Sequence, residues 1–287
     1  SNPFELPIEG TDPTVYYVPE TSNESQLTIG GSGNPIPDSK VGSGKVQLSA
    51  KKLALRVGFS AELVEDAILP VLNIYREQAI RAIADSIDYT LLNGDTEDGV
   101  GANINTASAP GGNERFMAFN GLRKLPIVTN TANAVSMGAD PTLAKLRESR
   151  FKMDTRYAAR PTDLAWIVDG GTYAKLLGLS EFLTMDKAGA LATAMTGQIG
   201  FVDGIPVVVS PEMPLTATTG YVAGSGNTKG TAVCVYRPGW FVGYRRRIAV
   251  NVDYLPYYDS YQLTATVRLA FANFDSEVAS ALINITV

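Results

Sequence analysis

The chain has 287 residues, 45% hydrophobic and 18% charged, with a net charge of −5 and a pI near 4.9. That is enough length for one large or two intimate domains, and the acidic balance argues against clamping nucleic acid, whose sequence-independent binding draws on Lys and Arg neutralising phosphates. Histidine is absent, which removes the commonest general base, the Ser-His and Cys-His nucleophile pairs and every imidazole metal site.

Cys234 is the only cysteine, so no disulfide can form within the chain; set between Val233 and Val235, it reads as a small buried hydrophobe. No run approaches the ~20 consecutive apolar residues of a bilayer span. Ser1-Asn2-Pro3-Phe4-Glu5 lacks the basic flank and apolar stretch of a secretory signal, so the sequence reads as soluble and intracellular in origin.

Residues 1–58 are rich in Pro, Gly, Ser and Asn and cannot make a compact core. Val15-Tyr16-Tyr17-Val18, Leu27-Thr28-Ile29 and Val46-Gln47-Leu48 are strand-like pieces within them, and the arms around the Gly-Pro stretch are expected to pair as a long hairpin with its tip near 30–44. An arm of this kind is ordered by a partner, here a neighbouring subunit.

At Phe59 the period changes. Ser60 is a good N-cap, Phe59 and Val64 form a hydrophobic staple, and Glu62, Glu65 and Asp66 place negative charge in the first turns. Pro70 should break this helix. Beyond it Leu72, Tyr75, Ala79, Ile83, Ile87 and Leu91 recur at helical spacing, predicting a second helix of roughly 20 residues, about 30 Å. Asn93-Gly94-Asp95 is expected to end it with a left-handed cap.

Residues 95–139 read as loop with a strand candidate at Ile127-Val128-Thr129. Asp140-Pro141 should open an amphipathic helix running to about Arg156, with Leu143, Leu146, Arg150 and Met153 along it. Ala165–Val168 and Gly204–Val209 read as strands, with a short helix over Thr172–Leu177. The last third is β. Ile248 to Tyr254, Tyr261 to Phe271 and Ala279 to Val287 all alternate, giving strands with one buried face and the long helix as cover.

Five stretches hold residue types that could carry chemistry. Gly42-Ser43-Gly44-Lys45 and Gly224-Ser225-Gly226 do not complete a phosphate-binding loop and read as loop tips. Asp95, Glu97 and Asp98 before Gly99 lack the alternate-residue ligands and closing Glu of a calcium loop, which leaves a solvated turn. Glu62, Glu65 and Asp66 are explained by the helix dipole rather than by acid/base work. Arg245-Arg246-Arg247 is the strongest basic cluster and reads as a solvated strand end or an intersubunit ion-pair site. Tyr254, Tyr257, Tyr258 and Tyr261 lack interleaved basic residues, which favours a protein interface over base stacking. No catalytic, cofactor-binding or metal-binding residue is expected.

The order of elements resembles the Hong Kong 97 fold of tailed-phage major capsid proteins, an α+β architecture. Three stretches carry it: Phe59–Ala67 with the long helix and Leu91-Leu92-Asn93-Gly94-Asp95, then Gly204-Ile205-Pro206-Val207-Val208, then Val267-Arg268-Leu269-Ala270. The resemblance implies an N-terminal arm (1–20), an extended E-loop hairpin (21–58), a P domain from 59–93 with its spine helix and 245–287, and an A domain (94–244). It implies pentamers and hexamers of an icosahedral virion shell, assembled in the host bacterial cytoplasm and enclosing double-stranded DNA without sequence-specific binding. Further copies of the chain, a portal, a scaffolding function and a decoration protein are the partners it implies, with no membrane.

One member of the family welds its subunits through a Lys, an Asn and a Glu. Lys40 or Lys45 suits the first role, but Asp259 and Thr266 stand where the other two belong, so no cross-linking is expected. Ser1 fits either methionine removal or maturation cleavage. The rival readings are an encapsulin-type nanocompartment of the same fold enclosing cargo enzymes, a histidine-free hydrolase, and a tail or adhesin binding module.

Overall fold

The computed structural model describes residues 3–9, 13–17, 38–39, 43–66, 71–179 and 200–287. They divide into two compact units, a small one of residues 4–47 and a large one built on 48–287.

In the small unit, strand β1 (Phe4–Glu9) and strand β2 (Ser43–Leu48) form a two-stranded ribbon. Pro7 is tolerated there because both strands are edges. Lys45 ties the ribbon together, its Nζ 2.8 Å from Glu5 Oε1. The strand expected over Val15–Val18 is not formed across the described residues 13–17, and β1, in a segment read only as an arm, pairs instead. Leu27-Thr28-Ile29, most of the expected hairpin tip, Lys40 and Pro70 lie outside the described residues.

The large unit begins with strand β3 (Lys51–Ser60), which the Pro/Gly-rich composition around it concealed. Two long strands follow late in the chain, β9 (Trp240–Leu255) and β10 (Ser260–Asn273). Together they make an antiparallel sheet in the order β3-β10-β9. The expected domain edges at 58/59 and 244/245 fall inside β3 and β9. Helix α1 (Ala61–Asp66) starts as expected, with the Leu63 amide donating to Ser60 Oγ at 3.3 Å, and helix α2 (Val71–Asn93) has 23 residues. Its Ala79, Ile83 and Ile87 pack on the fully buried Leu263, Ala265, Val267 and Leu269 of β10, with Phe59 and Val64 in the same cluster. The period of 3.6 on the helix and of 2 on the strand thus meet in one core.

The second sheet has six strands: β4 (Ala134–Ser136), β5 (Leu164–Val168), β6 (Phe201–Val202), β7 (Ile205–Val209), β8 (Lys229–Tyr236) and β11 (Ala279–Thr286), in the order β4-β11-β8-β5-β7-β6. β4/β11 and β5/β7 are parallel, and the other pairs are antiparallel. One face packs with helix α3 (Leu143–Arg150), helix α4 (Thr155–Ala158) and helix α5 (Gly170–Leu177) around Trp166, Cys234 and Leu282. Cys234 is buried as expected, and burial pushes its thiol far up. The other face shares a cluster with Leu92 at the end of α2.

Four expectations are corrected. β11 alternates as predicted but pairs with β8 and β4 rather than lying under α2, because alternation reports one buried face without saying against which element. Leu125–Thr129 is a π-helical turn closed by the Asn130 amide on the Leu125 carbonyl at 2.7 Å, since a three-residue apolar run suits any buried element. The helix after Asp140-Pro141 is capped by Thr142 instead and ends at Arg150, and Asp154 then caps α4. Gly94 is not left-handed, for a reason that belongs to the site below.

Candidate contact surfaces and the polar joint

The C-terminal end of α2 is sealed by another stretch of backbone. The amides of Leu122 and Arg123 donate to the carbonyls of Leu91 and Leu92 at 2.9 and 3.0 Å, and the Gly121 amide donates to Gly94 O at 2.7 Å. This does the work expected of a left-handed cap. Glycine is required at 94 for space: a Cβ there would stand 2.2 Å from Phe119 O and 2.6 Å from Thr90 O. Gly121 is equally confined, its added Cβ 2.5 Å from Gly94 N.

The acidic stretch after it is not a solvated turn, which corrects that reading. Asp95 is fully buried. Its carboxylate accepts from the amides of Ile104 (2.8 Å) and Glu97 (3.1 Å) and pairs with Lys124 Nζ at 2.7 Å. Lys124, itself buried, reaches Glu97 Oε1 at 3.0 Å and Asn120 Oδ1 at 3.1 Å. Beside it Arg123, also fully buried, donates to Asn93 Oδ1 at 2.5 Å and Gly220 O at 3.0 Å, while Asn93 donates to Glu212 O at 2.7 Å. Burial brings the Arg123 guanidinium down to about 10. These side chains lock loops from three parts of the chain onto the end of α2. The signal for them was Arg123-Lys124 standing between the apolar Leu122 and Leu125.

The other candidates are scattered. Glu62, Glu65 and Asp66 lie on α1. Gly224–Gly226 is a loop with Gly226 left-handed, φ +77°. Arg245–Arg247 lie mid-strand in β9 rather than at a strand end, where the β9/β10 register slips twice, and Arg246 donates to Thr266 Oγ1. Arg247 and Ile248 line, with Ile87, a cavity of about 430 Å³. Tyr254 and Tyr261 pack at 5.2 Å, and the Tyr254 hydroxyl donates to Asp259 Oδ1 at 2.7 Å, raising its pKa. Tyr257 and Tyr258 stand edge to face at 4.9 Å on the adjoining turn, 89% and 72% exposed. A further apolar groove of about 590 Å³ runs along Leu91, Val208, Val209, Trp240, Val242 and Phe271. Among the described residues no group of three or more acidic or cysteine side chains is placed to hold a metal ion. Among the described residues the geometry offers exposed apolar and aromatic surface.

The phage capsid family model matches residues 1–233. The major capsid protein of Escherichia phage T5 is 25% identical over 277 residues, 94% of this chain and 55% of that protein, so the chain spans about half the length of that relative. Among solved structures, the capsid of a native GTA particle gives a TM-score of 0.69 at 14% identity, covering 100% of this chain and 86% of that one. A chain of Microbacterium phage Oxtober96 gives 0.63 at 15% identity, with 100% and 86% covered. A chain of Mycobacterium phage Cain gives 0.62 at 15% identity, with 100% and 85% covered. At these identities the structural likeness speaks for the fold.

Proposed function

This chain belongs to the phage capsid family, and from that premise we propose that it is the major capsid subunit of a tailed phage, closing with its copies into pentamers and hexamers of an icosahedral shell around double-stranded DNA. The observation that carries the reading is the family match over 1–233 together with a fold shared over the whole chain with the capsid of the GTA particle. The surface supports it. Tyr257 and Tyr258, and Val15 and Tyr17 at 94% and 90% exposure, are large apolar groups that solvent does not favour and a neighbour would cover. Many weak contacts in a closed shell add up to a stable one.

The proposed division is an arm (1–20), an E-loop (21–58), a P domain (59–93 with 245–287) and an A domain (94–244), with β3 and β9 running across two of its edges. The virion shell is its place and the host cytoplasm its site of assembly. A portal and a scaffolding function are its partners there, with a decoration protein in shells that carry one. No enzymatic role and no cofactor are assigned. Because Asp259 and Thr266 stand where the welding Asn and Glu belong, cross-linking of that kind is not expected, and particles boiled in detergent should run as one monomer band. A ladder of multiples would contradict this. Sedimentation of concentrated protein at neutral pH, alone and with its scaffold, tests the reading itself: fast-sedimenting particles support it, and a slow species under both conditions overturns it.

A further inference from the structure

A cavity of about 570 Å³ opens between β3, α2 and the loop 112–118, three stretches that meet only in the fold. That volume is in the range of small-molecule sites. Its floor is apolar: Leu53 and Leu55 of β3 and Ile83 of α2 belong to the core that joins helix and sheet, and Ala82 and Ala118 complete it with small side chains. Its rim is basic. Lys51, Lys52 and Arg115 line it against one acid, Glu114, in a chain whose 29 acids outnumber its 24 bases. Alternation along β3 puts Lys51 on the same face as Leu53 and Leu55, so its ammonium stands at the head of the apolar floor. Arg115 is pinned, its guanidinium 3.8 Å from the centroid of the Tyr89 ring and 3.9 Å from Glu212 Oε2, with its side chain still 44% exposed. Among the described residues neither Lys51 nor Lys52 enters an ion pair.

Such a lining asks for an apolar body with a negative head. A bare anion would leave the apolar floor in contact with water, and an uncharged hydrocarbon would leave the ammonium and guanidinium groups without a counter-charge. We propose that this cavity is a binding site for an amphiphilic carboxylate, its chain on Leu53, Leu55 and Ile83 and its head group on Lys51 and Arg115. Bound there, the ligand ties the loop 112–118 to β3 and α2 and stabilises the folded subunit by mass action. Every lining residue comes from one subunit, so the proposal does not depend on the shell-subunit reading.

The probe is decanoate below its micellar concentration, titrated calorimetrically into the full chain at physiological salt, with decanol and acetate as the controls that lack the charged head and the apolar tail. A single decanoate should bind per chain and raise the melting temperature, while either control binds about tenfold more weakly or worse. Lys51→Gln, at an exposed position, should weaken decanoate by about tenfold. Ala82→Phe, on the exposed surface of α2, should block it by filling the cavity. Lys152→Gln, an exposed lysine elsewhere, should bind as the parent does. The proposal is overturned by a parent chain that takes up no decanoate at millimolar concentration, or several molecules of it at once. Decanol bound as tightly as decanoate overturns it too, as does parent-like binding by Lys51→Gln and Ala82→Phe. Decanoate that binds the free subunit but is excluded from assembled particles would assign the cavity to a neighbouring copy and overturn the ligand site as well.

Discussion

Glycine at 94 and 121 illustrates how one atom decides the local structure. The two backbones approach so closely that a methyl group at 94 would meet Phe119 O at 2.2 Å, whereas at Gly112 nothing lies within 4 Å. Gly94→Ala should therefore cost about 1–3 kcal/mol or more through overpacking, and Gly112→Ala should be near neutral. Urea melts of the two variants separate them. Lys124 makes the companion case for charge. Removing its ammonium with Lys124→Met strands Asp95 in the interior, and a penalty of about 3–5 kcal/mol is expected in the same measurement. Tyr157 gives the pH dependence. Burial, and then its hydrogen bond to Asp275 Oδ2 at 2.8 Å, push its hydroxyl up to about 12. The unfolded phenol ionises near pH 10. The stability it contributes is thus complete below about pH 10 and lost as pH rises toward 12, because the unfolded chain releases its proton first. Tyr157→Phe should flatten that part of the alkaline limb, and an unchanged limb would contradict the assignment.

At the scale of elements, the parts legible in the sequence are those whose period is long. α2 spans 23 residues, and the positions read as its apolar stripe are those that pack on β10. Ile83→Ala is accordingly expected to cost about 2–5 kcal/mol, while Ile80→Ala, at a position 44% exposed, should change the melting midpoint little. β10 is equally readable, and β9 over its second half, Ile248 to Tyr254, while its first half, with Arg245–Arg247 in mid-strand, does not alternate in the sequence. Short or contextual elements were not. β3 reads as part of a polar arm, because its pattern becomes apolar only against β10. Ile127 could not announce a π-helical turn, and β11 could not announce which sheet it joins. The joint at the end of α2 was hidden for a different reason. Asp95 and Lys124 are 29 positions apart, and a charged residue in a Gly/Asn-rich loop looks solvated until the fold buries both partners.

For the whole molecule, the same reasoning separates what builds the subunit from what it leaves unfinished. The two sheets and α2 satisfy their own cores. Under the proposed capsid reading, the exposed Tyr257 and Tyr258 and the exposed residues of the small unit are surface for neighbouring copies to cover. Electron microscopy of the purified chain, concentrated at neutral pH alone and with its scaffold and portal, tests this most directly. Closed shells, or rings of five and six subunits, are predicted. A folded chain that stays monomeric in every one of these mixtures would contradict the capsid reading.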